Sequence, residues 1–87
     1  MLDTGKDSIS VTVEYFALFR GLAQKSCEDL RVTSPHPGSI YEQLRARYGF
    51  PLERESIHLA VNDEYASWEK PLRQGDRVVF IPPVSGG

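Results

Sequence analysis

Apolar and polar positions alternate in two early segments of the chain and take a helical spacing between them. Residues 9–15 place apolar side chains at every second position, and residues 27–32 return to alternation with Leu30 and Val32 on one side, which is typical of strands that turn one face toward a core. Residues 16–24 carry apolar side chains three and four positions apart. This spacing predicts a short helix that joins the two strands.

A second, longer helix is predicted after the segment 34–38, which is rich in proline, because proline disfavours helical backbone in the residue before it. Ser39 and Glu42 have the spacing of a capping box, in which each side chain accepts a hydrogen bond from the other residue's backbone amide. Gly49 is positioned to end the helix in the left-handed conformation. The predicted buried stripe recurs at four-residue steps: Ile40, Leu44 and Tyr48.

A β-hairpin is predicted after a connector at residues 51–55. Residues 57–61 form a short apolar run, and Asn62 and Asp63 after it tolerate the positive φ of a tight turn. Tyr65 lies on the predicted return strand.

Residues 77–81 predict the last strand. A turn at residues 72–76 precedes them, and the run itself is almost continuously β-branched and aromatic. Such runs occur in strands that are covered on both faces, so this strand is expected at the centre of a sheet. Pro82 and Pro83 end it, because proline has no amide to donate.

The elements follow the order strand, helix, strand, helix and three strands, which predicts one α+β domain. We expect a mixed sheet of about five strands, with the longer helix packed on one face and a short first helix beside it. If the first and last strands are parallel neighbours, the sheet is a β-grasp. The 87 residues divide into a flexible leader at 1–8, the folded domain at 9–83 and a flexible tail at 84–87.

The composition excludes several classes of protein. Ten Lys and Arg against twelve Asp and Glu give a net charge of −2, so no basic surface for nucleic acid or an anionic membrane is expected. Cys27 is the only cysteine, which excludes an intramolecular disulfide and indicates a reducing compartment. No segment approaches the roughly 20 apolar residues that span a bilayer, and we expect a cytoplasmic protein.

Few side chains are candidates for catalysis or metal binding. His36 lies among prolines and His58 lies within a predicted strand, and neither has a second ligand at helical spacing, so we expect no metal site. Cys27 begins a strand and is interpreted as a small apolar filler. Tyr65 and Trp68, near the hairpin, are either an interface anchor or partly buried aromatic residues.

The end of the sequence is the strongest indication of function. None of the ten residues after Arg77 is charged, and Pro82 and Pro83 stiffen the exit from the last strand. Gly86 and Gly87 have no side chains, so the backbone could pass through a tunnel too narrow for a Cβ atom. The terminal carboxylate would then reach a reacting centre in another protein.

Four segments together resemble a known family. They are VEYFALFR at 13–20, NDEY at 62–65, LRQGDRV at 72–78 and IPPVSGG at 81–87. In this combination they are similar to the small, sulfur-carrying subunits of molybdopterin synthase, which are ubiquitin-like β-grasp proteins. The resemblance extends over residues 9–87 and implies the same fold here.

The resemblance implies a cycle with several partners. A ubiquitin-activating-like adenylyltransferase would use ATP to adenylate the Gly87 carboxylate, and a persulfide sulfur donor would convert the adenylate into a thiocarboxylate. The tail would then enter the active site of the large synthase subunit, where its sulfur attacks the cyclic pyranopterin precursor. In this scheme the chain is non-catalytic, binds no cofactor stably and works in a hetero-oligomer. The residues threaded together with Gly87 are Pro82, Pro83, Val84, Ser85 and Gly86.

The resemblance also implies an apolar surface that contacts both partners. By position in the motifs, Phe16, Tyr65 and Ile81 belong to it. For Phe16 and Ile81 a place in the hydrophobic core is the alternative.

Other functions use the same C-terminal chemistry. Carriers that supply sulfur to the thiazole of thiamine or to a thiolated tRNA base also form a thiocarboxylate. A ubiquitin-like modifier would join Gly87 to lysines of target proteins, and a noncovalent interaction module would not use the tail at all. The ending at 81–87 favours molybdenum cofactor biosynthesis.

Overall fold

The computed structural model describes residues 8–83, in which five strands form one mixed sheet with two helices against it. The strands are β1 (Ile9–Glu14), β2 (Cys27–Val32), β3 (His58–Val61), β4 (Glu64–Ala66) and β5 (Arg77–Ile81). The helices are α1 (Leu18–Ala23) and α2 (Pro37–Tyr48), and one 3-10 turn covers Arg54–Ser56. Residues 1–7 of the predicted leader and the whole predicted tail at 84–87 lie outside the described residues.

The sheet has the order β2-β1-β5-β3-β4, so the last strand lies beside the first. β1 and β5 are parallel, with Val13 beside Val78, whereas the other neighbouring strands are antiparallel. A parallel pair needs a long crossover connection, which the chain between β1 and β5 supplies. This topology confirms the predicted α+β fold and the β-grasp sheet.

Both helices pack on the same face of the sheet, here named the inner face. Phe19 of α1 and Tyr41 of α2 each contact Phe80 of β5, with ring centroids 6.3 and 5.1 Å apart. Val78 and Phe80 are fully buried. β5 is the central strand of the sheet, as predicted, but the described residues cover only one of its faces, because α1 and α2 both lie on the inner face. The residues that alternate with Val78 and Phe80 are half-buried on the opposite, outer face: Arg77, Val79 and Ile81.

Aromatic rings form the centre of the core between the sheet and the helices. Phe19 lies 4.8 Å from Phe50, and Trp68 stacks on Phe80 at 5.8 Å, both measured between ring centroids. The sequence left open whether Trp68 is an interface anchor or a partly buried aromatic residue, and its packing on Phe80 assigns it to the second alternative.

The buried face of α2 differs in one residue from the predicted stripe. Ile40 and Leu44 are buried as predicted, whereas Tyr48 is partly exposed. Tyr41, which the four-residue spacing missed, is fully buried and donates a hydrogen bond to the Leu52 carbonyl at 2.6 Å.

α2 begins earlier than predicted. Pro37 occupies its first position, where a fixed φ and a missing amide are both acceptable, and the His36 carbonyl accepts a hydrogen bond from the Ser39 amide at 3.1 Å. Ser39 is therefore inside the helix, no side chain caps the N-terminus, and the predicted capping box with Glu42 is wrong. The end of the helix is as predicted, since Gly49 has a φ of 73°.

α1 is shorter than the predicted span 16–24 because a tight turn precedes it. The Phe16 carbonyl accepts a hydrogen bond from the Phe19 amide at 3.0 Å, and Ala17 between them takes a φ of 52° and a ψ of −120°. Glycine adopts this backbone conformation far more readily than alanine does. The turn leaves Phe16 outside the helix, with 53% of its surface exposed.

The Glu28 carboxylate connects β2 to the residue after β1 and to the end of α2. Its Oε1 atom accepts hydrogen bonds from the hydroxyls of Tyr15 at 2.7 Å and Tyr48 at 2.6 Å. Lys25 Nζ and Arg47 Nη1 lie 3.6 and 3.8 Å from Oε2. Burial acts to raise the pKa of Glu28, but the two hydrogen bonds and the two cations outweigh it, so this pKa lies below its usual value. Burial, followed by the hydrogen bond to Glu28, raises the pKa of Tyr15.

We expect Glu28→Ala to lower the free energy of unfolding by about 2 kcal/mol, because two hydroxyls lose a charged acceptor. Glu28→Gln should cost less, since its amide oxygen still accepts both hydrogen bonds.

Because folding lowers the pKa of Glu28, the stabilisation from its charge is complete above the unfolded-state pKa of about 4.3 and is lost as the pH falls through the folded-state pKa. Urea denaturation of the wild type and of Glu28→Gln should therefore give a difference at pH 7 that shrinks as the pH falls below the unfolded-state pKa of about 4.3. A difference independent of pH would mean that the carboxylate charge contributes nothing.

Candidate functional site

The outer face of the sheet carries a shallow depression. It has a volume of about 330 Å³ and is lined by Ala60, Asp63, Tyr65, Val79 and Ile81. Strand register brings these residues together, because Ala60 on β3 lies between Val79 on β5 and Tyr65 on β4. This surface is named the outer depression.

Tyr65 and Ile81, two of the three predicted interface residues, line the outer depression together. Tyr65 is 78% exposed, and its ring lies 5.7 Å from that of His58, which is paired with Ile81 across the strands. An exposed tyrosine beside aliphatic side chains is typical of surfaces that bind another protein. The partner-binding role of both residues stays a prediction.

Phe16, the third predicted interface residue, lies outside the outer depression, on the turn between β1 and α1. β1 and β5 run parallel, so Phe16, just beyond β1, and Ile81, at the end of β5, lie at the same end of the sheet. Leu18 and Leu22 of α1 are also exposed. Of the two alternatives, core or surface, Phe16 is on the surface and Ile81 is half-buried on the outer face.

The chain leaves the sheet at the rim of the outer depression. Ile81 both ends β5 and lines the depression. Pro82 and Pro83 follow it, and Pro83 is exposed. The threading role of the tail stays a prediction, because the other residues assigned to it lie outside the described part of the chain: Val84, Ser85, Gly86 and Gly87.

Three charged side chains border the outer depression and are named the charge row: Glu14, Arg77 and Asp63. Arg77 Nη2 forms an ion pair with Asp63 Oδ1, and Arg77 Nε lies 3.4 Å from Glu14 Oε2. The hydrogen bond to Asp63 and then the two carboxylate charges raise the pKa of Arg77. The guanidinium therefore stays protonated, and the row carries one net negative charge.

The histidines and the cysteine form no metal-binding cluster in the part of the chain that the structure describes. His36 and His58 are both exposed. Cys27 is exposed as well, so its interpretation as an apolar filler is wrong. It begins an edge strand and lies beside Glu14. Between residues 8 and 83, no helix has the length and apolar character needed to cross a membrane.

Sequence reasoning missed three residues of the outer depression: Ala60, Asp63 and Val79. Val79 could have been found, because the period of two puts it on the same strand face as Ile81. A single predicted main helix also leaves one face of a sheet uncovered. Ala60 and Asp63 could not have been found, since their place depends on which strands are neighbours, and periodicity does not give that.

Comparison with known proteins identifies related sequences over most of the chain. The ThiS family matches residues 13–87. The molybdopterin synthase sulfur carrier subunit of Escherichia coli K12 is 31% identical over 80 residues, covering 88% of this chain and 99% of that protein. The subunit of the same name from Anopheles gambiae is 33% identical over 88 residues, covering 93% of this chain and 96% of that protein.

Solved structures share the fold. A putative molybdopterin converting factor, subunit 1, from Pyrococcus furiosus is 29% identical, with a TM-score of 0.72, covering 87% of this chain and 99% of that one. Small archaeal modifier protein 1 from Methanosarcina acetivorans is 23% identical, with a TM-score of 0.72 and coverage of 92% and 98%. A chain in the complex of subunits 1 and 2 of molybdopterin-converting factor from Helicobacter pylori is 21% identical, with a TM-score of 0.61 and coverage of 91% and 100%. The last two show the fold alone.

The family match, the two relatives and the parallel β1–β5 pairing agree with one another. They confirm the resemblance to molybdopterin synthase sulfur carriers that the sequence motifs predicted. The chain belongs to the ThiS family of ubiquitin-like β-grasp proteins.

Proposed function

We propose that this chain is the sulfur-carrier subunit of a molybdopterin synthase and acts in molybdenum cofactor biosynthesis. The observation that carries the proposal is the likeness to two proteins of that name, which covers 99% and 96% of their lengths. The family match also runs through Gly87. The likeness therefore includes the terminal diglycine.

The chemistry of the proposal is centred on the Gly87 carboxylate. A carboxylate is a poor electrophile, so an activating enzyme first transfers AMP from ATP to it and releases pyrophosphate. The outer sulfur of a persulfide donor then attacks the adenylate and displaces AMP, which leaves an acyl disulfide between Gly87 and the donor. A second thiol cleaves this disulfide by attacking the donor's sulfur, so that the donor is left in a disulfide and the tail ends in a thiocarboxylate. This sulfur is the nucleophile that attacks the pyranopterin precursor, and hydrolysis later restores the carboxylate. The partners supply the catalytic groups, and the chain itself holds no cofactor.

Docking of the large subunit on the outer depression is part of the proposal. Four residues follow Pro83, and even a fully extended segment of that length spans at most about 14 Å. A partner that receives the tail must therefore have its reacting centre close to the surface that holds the domain. The outer depression satisfies this requirement, because Ile81 belongs to both the depression and the last strand.

The relatives' names favour molybdopterin synthase over the other carriers that use a thiocarboxylate. The likeness to small archaeal modifier protein 1 extends to the fold only, so a modifier function is an outcome of the test below. The activating enzyme and the persulfide donor are proposed from the chemistry that Gly87 requires.

Gly87→Ala should fold like the wild type but lose at least about tenfold in sulfur loading or transfer, a barrier of roughly 1.4 kcal/mol, because its methyl group meets a channel shaped for glycine. The protein is incubated with the activating enzyme, ATP and the sulfur donor of its host, and its intact mass is measured. Wild type should gain the mass of one oxygen-to-sulfur exchange, located at residue 87 by fragmentation. Gly21→Ala is the matched control, since Gly21 is exposed on α1 and a Cβ atom there contacts nothing within 4 Å.

Three outcomes would count against these assignments. A wild-type carboxylate that remains unmodified with all components present contradicts the carrier function. Normal sulfur transfer by Gly87→Ala contradicts threading through a narrow channel. Isopeptide conjugates through residue 87 indicate the modifier function instead.

Ile81→Lys should weaken binding to the large subunit by at least about thirtyfold, which corresponds to 2 kcal/mol at an interface anchor. The fold should survive at a cost of about 1 kcal/mol, because a lysine stem can lie on the outer face while its charge reaches water. Calorimetric titration gives the Kd, and urea denaturation gives the stability. Thr33→Lys is the matched control and adds the same charge at an exposed position. Thr33 follows Val32, which pairs with Ile9 at the opposite end of the sheet, so this substitution should change neither the Kd nor the stability much. Unfolding of Ile81→Lys would assign Ile81 to the core.

A further inference from the structure

The outer depression combines apolar walls with one acidic residue. Ala60, Val79 and Ile81 supply aliphatic surface, and Tyr65 adds an exposed ring. Among the residues that the structure describes, Asp63 is the only charged one that lines it, and its side chain is 78% exposed. A purely apolar segment would leave this carboxylate with Arg77 as its partner charge and would add none at the edge of the contact.

The charge row is not neutral by itself. Asp63 and Glu14 share one guanidinium, that of Arg77, and each contributes one carboxylate oxygen to it. Within residues 8–83, the second oxygen of each carboxylate, Asp63 Oδ2 and Glu14 Oε1, accepts no hydrogen bond. One uncompensated negative charge and these two carboxylate oxygens therefore lie next to the apolar walls, on side chains that are 43% (Glu14) and 78% (Asp63) exposed. Glu14 is held at the row because it pairs with Val79, a wall residue.

The turn that carries Asp63 is held in place before any partner arrives. Asn62 and Asp63 both have positive φ values, 53° and 74°, in the tight turn between β3 and β4. The Asn62 side chain accepts a hydrogen bond from the Arg77 amide and donates one to Asp76, both at 2.9 Å. The turn is thus tied to the first residue of β5. A preorganised charge loses little conformational entropy on binding.

We propose that the partner element that docks on the outer depression carries a lysine or arginine beside an apolar anchor, and that this cation pairs with Asp63 and Glu14. The inference rests on the proposed function, since it names the chemistry of the large-subunit segment that would dock there. Asp63 is then a residue that determines which partner is accepted. A partner carboxylate directed at Arg77 is the competing arrangement, and it predicts opposite effects of substitution.

Asp63→Asn and Arg77→Gln distinguish the two arrangements. Asparagine tolerates the positive φ of the turn, so Asp63→Asn should fold normally while raising the Kd for the large subunit about fivefold and flattening its salt dependence. Arg77→Gln leaves both carboxylates unneutralised, so binding should be at least as tight at low salt and should weaken more steeply as salt is added. Glu64→Gln is the matched control. Glu64 is the next residue, is exposed, and lines a different depression together with Lys70 and Arg73.

The measurement is calorimetric titration of the large subunit from the same organism with each full-length variant at several salt concentrations. The proposal is overturned if Asp63→Asn matches wild type in Kd and salt dependence, or if Arg77→Gln weakens binding as much as Asp63→Asn does. If Ile81→Lys abolishes binding while Asp63→Asn has no effect, only this inference fails and the proposed function stands. If wild type does not bind the large subunit, both fail.

Discussion

The parallel pairing of β1 with β5 places the end of the last strand beside the candidate site. This pairing sets Thr12 beside Arg77 and Glu14 beside Val79. Because the two strands are far apart in the sequence, the centre of the sheet forms only after a long loop has closed. In return, the strand before the C-terminal tail is held on both sides, by β1 and by β3. The tail therefore leaves from a rigid position in the sheet, and the outer depression lies directly beside that exit.

The alternation of side chains along β5 separates folding from recognition. Val78 and Phe80 are fully buried among the aromatic rings under α1 and α2. Val79 and Ile81, between and after them, line the outer depression. Because adjacent residues point to opposite faces of a strand, one short segment contributes to the core and to the candidate binding surface with different side chains. Substitutions on the outer face can then change a partner without removing the core.

The elements of the fold could largely be predicted from the sequence, because strand alternation and the left-handed turn at Asn62 and Asp63 are local properties. What could not be predicted depended on neighbours. The exposure of Cys27 follows from the place of β2 at the sheet edge, and the burial of Tyr41 follows from its packing on Phe80. α2 starts earlier than the capping-box spacing predicted, because Pro37 is suited to the first position of a helix. Within the candidate site, the sequence motifs identified Tyr65 and Ile81. The charge row could be identified only from the strand order.

In the proposed function, the chemistry of the tail cannot by itself decide which pathway receives the sulfur. None of the ten residues after Arg77 carries a charge, and a terminal diglycine has no side chain that a partner could read. Every carrier that ends in a thiocarboxylate offers the same nucleophile, so discrimination between partners has to come from the folded domain. Beside the outer depression, the charges of Asp63, Arg77 and Glu14 interrupt an otherwise apolar surface. A partner without a matching charge binds more weakly, because its contact desolvates or repels the charges of the charge row. The charge row lies beside the end of β5, from which the sulfur-carrying tail would leave.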